Sequence, residues 1–237
     1  MPILLLLFIS FISTAQEYAD YSIQSENGKL FFVDKVDPDI GDKAIAVFFN
    51  DKIKGEYFVD FLPYLSSKGK IKNAFYVNTK NIKKRYIIIQ ESQIDSDTGM
   101  NWFNYFNVIV FSYADGRLSR DDKLTSYFGS GGDITNPNVL DAIPYHYPYS
   151  ERDEIINVIN KSEFNDWITG NPATLKIKRK SYFFSEPLPI NKGKSYLIEN
   201  DKVLRKAHES GWDYVIYKSP KGRTYSGWMS CYLTGSC

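Results

Sequence analysis

From Lys29 onward, short apolar runs alternate with clusters of Gly, Asn and Asp, and this pattern predicts β-strands joined by turns. The runs are rich in aromatic and β-branched side chains, which favour strands over helices. Strands broken at such short intervals are typical of an antiparallel meander folded into a sandwich or a strongly curved sheet. The predicted strands are KLFFVD, KAIAVFF, EYFVDFLPYL, IKNAFYV, KRYIIIQ and FNYFNVIVFSY.

A hairpin and a glycine-rich segment follow the last of these runs. Asp115 and Gly116 predict a tight turn, because glycine adopts the positive φ that such turns require. We expect the chain to return as a strand through residues 117–128. The glycine-rich segment 129–132 then predicts the end of an N-terminal β domain near Asp133.

The spacing of apolar positions becomes helical in the connector that follows. Ser150 is placed as an N-cap with Asp153 three positions later, and Ile155 and Ile159 fall on one helical face behind it. The apolar face predicts that the connector packs against a neighbouring domain. A second helical turn is predicted to contain Phe164, Trp167 and Ile168 and to end at Gly170.

The N-terminus has the pattern of a secretory signal peptide. The apolar block 3–12 is about ten residues long, well short of the roughly 20 needed to cross a bilayer. Ser13 and Ala15 are small residues placed for cleavage before Gln16. We expect residues 1–15 to be removed, leaving an exported protein, periplasmic or secreted, with no membrane span. The alternative is a buried N-terminal strand or helix of the fold.

Composition narrows the classes of partner. The chain has 237 residues, of which 43% are hydrophobic and 16% aromatic, and its formal net charge is +1. A charge so close to zero supplies no long-range field for nucleic acid or an anionic membrane, so neither is expected as a partner. The basic runs 80–85 and 176–180 are therefore interpreted as solvated loops.

Two cysteines, Cys231 and Cys237, are expected to form a disulfide, because an even pair in an exported chain is typical of one. The alternative is two free thiols in a reducing compartment. The two histidines, His146 and His208, do not stand at a ligand spacing with the cysteines, so no metal site is expected. Both histidines are interpreted as surface residues.

Catalytic residues are not evident from the sequence. No cysteine precedes Cys231, which excludes a cysteine peptidase. The segment 95–99 (DSDTG) has an incomplete calcium-loop pattern and is interpreted as a polar hairpin loop. A carboxylate pair for glycoside hydrolysis stays open, because such a pair depends on separation in space. The candidate acids for that pair are Glu56, Asp60 and Glu91.

The C-terminal quarter carries the most informative motif of the chain. The segment KSYLIENDKVLRKAHESGWDYVIYKSPKGRTYSGWMSCYL contains a Tyr-Leu pair followed by Asp201 and Val203, then Gly211-Trp212 with Val215 and Tyr217, and then a second Gly-Trp pair. It resembles the bacterial SH3-like domain. The resemblance implies a small barrel of about five short strands that binds cell wall or protein. Asn200 stands where the family often has glycine, and asparagine tolerates the same left-handed turn.

Aromatic residues are too numerous for the core of so small a barrel. We expect Trp212, Tyr214 and Tyr225 to lie outside the core, where flat rings form stacking platforms for sugars, peptides or a partner chain. Trp228 and Val215 are expected inside the core.

The sequence therefore predicts a mainly β fold: an N-terminal β-meander or sandwich, a helical connector and an SH3-like barrel. The expected function is binding to a cell-wall polymer or an envelope protein, without a cofactor. The alternatives are a periplasmic immunity or inhibitor protein that neutralises a toxin, or a hydrolase with its carboxylates in the N-terminal domain. The expected boundaries are 1–15 for the signal peptide, 16–133 for the N-terminal domain, 134–174 for the connector and 175–237 for the barrel.

Export is directly testable. When the protein is expressed in a bacterium, N-terminal sequencing of the purified product should begin at or near Gln16, because the small residues before it fit signal peptidase. Recovery of the product from the cytoplasm with Met1 still present would contradict export.

Overall fold

The computed structural model describes residues 18–94, 102–134 and 144–237, and within them three antiparallel sheets dominate. The expected signal peptide and the 95–99 loop lie outside the described residues. The first sheet has the order β1-β2-β3-β4, with strands Ile23–Gln24, Gly28–Val36, Lys43–Asp51 and Gly55–Phe61. The second sheet has the order β5-β6-β7-β8, with β9 also on β7, and its strands are Lys70–Val77, Arg85–Ser92, Tyr105–Ala114, Arg117–Arg120 and Ser130–Gly132.

The first two sheets form a sandwich, as the alternating pattern predicts. Inward residues of β2 and β3, such as Phe32 and Phe49, meet inward residues of β6 and β7, such as Tyr86 and Ile109. Each of these side chains is at most 2% exposed. Alternate residues point to opposite faces of a strand, so each sheet contributes every second residue to this core.

The second sheet is buried on its other face as well. In β6, Ile88 faces the sandwich core, whereas Ile87 and Ile89 face a second core formed with the helices and the third sheet. This explains why the strand is a continuous apolar run instead of an alternating one.

The chain from the Asp115-Gly116 turn to the third sheet differs from expectation at three points. The return strand after the Asp115-Gly116 turn ends at Arg120, because Asp121 caps a helix by accepting from the amide of Leu124. The glycine-rich segment is a strand, β9, in which a Cβ on Gly131 would lie 2.5 Å from the Tyr147 ring. The first connector helix is capped one residue later than predicted, by a capping box at Glu151.

The helices are α1 (Asp122–Phe128), α2 (Arg152–Ile159), α3 (Ser162–Thr169) and α4 (Cys231–Thr234).

The third sheet has six strands in the order β10-β13-β14-β15-β11-β12. It encloses a small core of its own, which includes Leu175, Val203, Val215 and Met229. The expectation for Val215 is confirmed, since its side chain is fully buried. In chain order the strands are Ala173–Lys176, Ser181–Phe184, Lys192–Leu197, Lys202–Glu209, Trp212–Lys218 and Thr224–Ser230.

Of the two tryptophans of the third sheet, the one expected outside the core is fully buried, and the one expected inside it is only partly buried against the shared core. Trp212 is 1% exposed and stacks on Tyr145 at 5.2 Å between ring centroids, in the core shared with the second sheet. Trp228 is only half-buried, lies outside the small core and meets the Tyr214 ring at 5.4 Å. The third sheet therefore closes the core of its neighbour with Trp212 and Phe184, and both residues would be exposed in an isolated fragment 175–237.

None of the helices in the described part of the chain combines the length and the apolar character that crossing a membrane requires.

The burial of the two tryptophans predicts unequal effects of truncation. Trp212→Ala should lower the free energy of unfolding of the full chain by about 3–5 kcal/mol, because it opens a cavity in the shared core. Trp228→Ala should cost clearly less and leave the protein folded. Urea unfolding followed by circular dichroism measures both. Equal costs, or a larger cost at Trp228, would contradict the placement.

Candidate functional site

The three residues predicted to bind a ligand do not form one platform. Trp212 is buried, so the expectation that its ring is outside the core is wrong. Tyr214 pairs with Trp228 and Tyr225 pairs with Tyr217, which places Tyr214 and Tyr225 on opposite faces of the sheet. Both rings are half-buried.

An aromatic surface does exist on the third sheet, at its β11–β12 edge. Tyr182 and Tyr196 are directly opposite each other, with ring centroids 5.7 Å apart. Tyr196 is 50% exposed. The ammonium of Lys180 lies 4.1 Å from the centre of the Tyr196 ring, and that of Lys192 lies 4.8 Å from the centre of the Tyr182 ring. Each of the two rings thus has a lysine ammonium over it.

This surface continues across the sheet. Phe184 pairs with Trp228 on the next strand and lies two residues from Tyr182 on its own strand, so Trp228 and Tyr182 share one face. Tyr214 on β14 pairs with Trp228 on β15, and the hydroxyl of Tyr214 donates to the hydroxyl of Ser226 at 3.1 Å. We call this set the aromatic–lysine surface; its members are Lys180, Tyr182, Lys192, Tyr196, Tyr214 and Trp228.

Electrostatics at this surface favour the charged form of lysine. The pKa of Lys180 is raised, chiefly by its hydrogen bond with Tyr182 and further by the charge interactions with both tyrosines. Sequence reasoning missed Lys180, Tyr182, Lys192 and Tyr196. No simple spacing announced the set, because Lys180 precedes β11 and an irregular register between Tyr182 and Phe184 places Lys192 opposite Phe184.

A second constellation lies inside the protein and has the residue types of a catalytic triad. His208 was predicted at the surface, but it is buried in β13, and its Nδ1 lies 2.8 Å from Oδ1 of Asp213. Its Nε2 lies 2.9 Å from the hydroxyl of Tyr149, and the ring of Tyr127 stacks on it at 4.0 Å. The side chains of His208 and Asp213 have no exposed area, so a substrate cannot reach them. This network joins the third sheet to the connector and α1.

The other oxygen of Asp213 is held by the C-terminal segment. The hydroxyls of Thr234 and Ser236 donate to Oδ2 at 2.5 and 2.6 Å. Both residues lie within the loop closed by the Cys231–Cys237 disulfide. The presence of this disulfide confirms the predicted pairing. The disulfide keeps this short loop in place and thereby keeps both donors on the buried carboxylate.

The pKa of Asp213 is lowered although burial acts in the opposite direction. Desolvation is the largest influence and would raise it, but the charge and the hydrogen bond of His208, the charge of Arg205 and the hydrogen bond from Ser236 together outweigh burial. The ionised carboxylate is therefore the stable form in the folded protein.

The other residues considered for chemistry in the sequence do not form a metal site or a catalytic group in the described part of the chain. His146 is exposed and lies between Asp133, at 2.8 Å, and Glu154, at 3.4 Å. In residues 18–94, 102–134 and 144–237, no three His, Cys, Asp or Glu side chains are grouped as they would be around a metal ion.

The three acids considered for hydrolysis do not converge. Asp60 is paired with Arg120 at 2.7 Å and Glu91 with Lys70 at 3.3 Å. Glu56 is exposed on β4 of the first sheet, whereas Glu91 belongs to the second sheet. These acids therefore do not provide the facing carboxylates that glycoside hydrolysis requires.

The chain matches no protein-family model, and searches of curated proteins and of solved structures likewise return no match. Its function is therefore inferred from its own residues.

The buried network predicts a specific loss of stability in acid. A carboxylate whose folded pKa is lowered contributes stability above its unfolded pKa of about 4, and that stability is lost as the pH falls through the folded pKa. The free energy of unfolding, measured with urea at a series of acidic pH values, should therefore decrease as the pH decreases. Asp213→Asn should remove much of this dependence and cost about 3–5 kcal/mol near neutral pH, because His208 and Arg205 lose their buried counter-charge.

Two further variants make this test specific. Asp115→Asn changes an exposed turn carboxylate and should leave the profile unchanged. Thr234→Val removes one donor and should move the acid loss to higher pH while the protein stays folded. A Thr234→Val profile that coincides with that of the parent would contradict the assignment.

Proposed function

We propose that this protein is an exported, non-enzymatic binding protein of the bacterial cell envelope, and that its aromatic–lysine surface binds the cell-wall glycopeptide. The observation that carries the proposal is the Tyr182–Tyr196 pair, in which Tyr196 is 50% exposed, with the ammonium groups of Lys180 and Lys192 over the two rings.

The chemistry of the surface fits such a ligand. A peptidoglycan strand presents sugar rings, which stack on flat aromatic faces, and free carboxylates, which pair with lysine. Rings already in place on adjacent strands lose little conformational freedom when a ligand binds. An uncharged glycan would use the rings without needing the lysines, so the combination favours an anionic glycan.

Export is supported by the disulfide as well as by the N-terminal apolar block. Disulfides persist in oxidising compartments such as the periplasm and the extracellular space and are rare in the cytosol. Cys231 and Cys237 are paired, and they close the loop that satisfies Asp213.

A protein partner is the alternative, as an immunity or inhibitor protein would require. The observation in its favour is the outer face of the first sheet, where Phe31, Phe48 and Phe58 form a stripe with ring centroids 5.7 and 5.6 Å apart. Phe58 is 42% exposed. An apolar stripe without adjoining polar rings suits a protein surface better than a glycan.

Retention on purified peptidoglycan tests the proposal. Tyr196→Ala should weaken binding about tenfold, because loss of a stacking ring at the centre of a contact commonly costs more than 1 kcal/mol. Lys180→Ala should weaken it less and should reduce its dependence on salt. The matched controls are Tyr232→Ala, which removes another exposed tyrosine, and Lys202→Ala, which removes another exposed lysine of the third sheet. Both should bind like the parent.

The alternative gives the opposite pattern. If the Tyr196→Ala protein is retained on peptidoglycan like the parent, while Phe58→Ser releases a protein otherwise captured from envelope extract, the protein-partner function replaces the proposal.

A further inference from the structure

One end of the sandwich collects four connections that are distant in sequence. Gly28 and Asp51 form the terminal pair of strands β2 and β3, and Val77 and Arg85 form the terminal pair of β5 and β6. The connections that follow these pairs are therefore at the ends of their sheets. The ammonium of Lys54 donates to the carbonyl of Gly116 at 2.7 Å, which joins the two sheets at this end. We call it the basic end; its connections are residues 25–27, 52–54, 78–84 and 115–116.

Folding concentrates positive charge there. The four connections contain five lysines, all exposed, against two carboxylates, whereas the whole chain has a formal charge of +1. The lysines are Lys52, Lys54, Lys80, Lys83 and Lys84. At the opposite end of the first sheet, the connection 37–42 contains three aspartates and no basic residue. The neutral total therefore conceals an uneven distribution of charge along the first sheet.

The lysine-rich connection is held in a fixed conformation. Ile82 is 3% exposed and anchors the segment in the core. The side-chain amide of Asn81 donates to the carbonyl of Ile159 at 2.7 Å, and the carbonyl of Lys84 accepts from the amide of Tyr113 at 3.2 Å. The interpretation of this basic run as a merely solvated loop therefore omitted its attachment to the core.

An isoleucine projects from the same end. Ile53 is 91% exposed, at the tip of the β3–β4 hairpin between two lysines. Its turn is built firmly, because Oδ1 of Asp51 accepts from the amides of Ile53 and Lys54 at 2.8 and 3.0 Å. Oδ2 of Asp51 accepts from the hydroxyl of Tyr113 at 2.6 Å. The turn thus exposes the apolar side chain of Ile53 to water, although the hydrogen bonds that hold the turn involve only the backbone of Ile53.

We propose that the basic end docks on an anionic phospholipid surface, with Ile53 entering the interface and the surrounding lysines contacting lipid phosphates. Lysines near such a surface are attracted additively, and an apolar side chain at the interface gains by leaving water. A dissolved polyanion would attract the lysines equally but has no apolar layer to receive Ile53. The isoleucine therefore favours a membrane over nucleic acid or another polyanion. The inference does not rest on cell-wall binding, which uses a different sheet.

Sedimentation of the mature protein with vesicles tests the proposal. Binding is expected to phosphatidylcholine vesicles that contain phosphatidylglycerol, to weaken with added salt, and to be absent with phosphatidylcholine alone. Ile53→Ser should weaken binding to the anionic vesicles about tenfold, since the apolar contribution is lost. The double variant Lys83→Glu with Lys84→Glu should weaken it by more than about tenfold. Ile53→Trp should bind at least as well as the parent, because tryptophan is suited to the interface.

The chain offers a matched control for the apolar tip. Ile40 is 45% exposed on the β2–β3 hairpin, between Asp39 and Gly41, at the acidic end of the sheet. Ile40→Ser should therefore leave vesicle binding unchanged.

Two results would overturn the proposal. One is the absence of binding to anionic vesicles at low salt. The other is binding that charge reversal abolishes but Ile53→Ser does not affect, which would indicate a general polyanion site. Retention on peptidoglycan, measured with the same variants, should not change, so failure here is distinguishable from failure of the cell-wall function.

Discussion

Burial of the second sheet on both of its faces is the constraint on which the rest of the structure depends. Residues 86–90 of β6 have no exposed area, so both sides of the strand must be covered. The first sheet covers one side, and the helices together with Phe184 and Trp212 of the third sheet cover the other. Neither covering layer is optional, because loss of either would expose buried apolar side chains of β6 to water. The three sheets therefore form one mutually dependent packing.

The joint between the third sheet and the rest combines apolar packing with one buried charged network. Trp212 stacks on Tyr145 at 5.2 Å, and His208 stacks on Tyr127 at 4.0 Å. Asp213 is buried beside His208, and His208, Thr234 and Ser236 provide hydrogen bonds to its oxygens. A buried carboxylate without those donors would destabilise the fold, so the short disulfide loop that positions two of them has a role beyond restraining the chain end.

The two surfaces proposed for binding lie at the periphery of the fold, although Tyr182 and Trp228 of the first surface also pack against the shared core. The aromatic–lysine surface lies at the β11–β12 edge of the third sheet, where Tyr196 remains 50% exposed. The basic end consists of connections, which tolerate lysine because their side chains remain in water. The fold fixes the position of both, through strand register in the first case and through Asp51, Ile82 and Asn81 in the second.

The sequence by itself determined the class of the fold and much of its local structure. Alternation identified the long strands, Asp115-Gly116 the hairpin, Gly170 the end of a helix, and the cysteine pair the disulfide. These features depend on residues that are close in the sequence, so they can be predicted from one sequence alone. It could not assign the tryptophans of the third sheet, because Trp212 and Trp228 have the same local pattern and differ only in which layer covers them. The same limit placed His208 wrongly at the surface, since Tyr149 and Tyr127 reach it across long sequence separations. Net charge was also uninformative about the surface, because a sum along the chain cannot show that folding gathers five lysines at one end of the sandwich. Tertiary structure decided burial, register and charge distribution, since each of them depends on residues that are remote in sequence and adjacent in space.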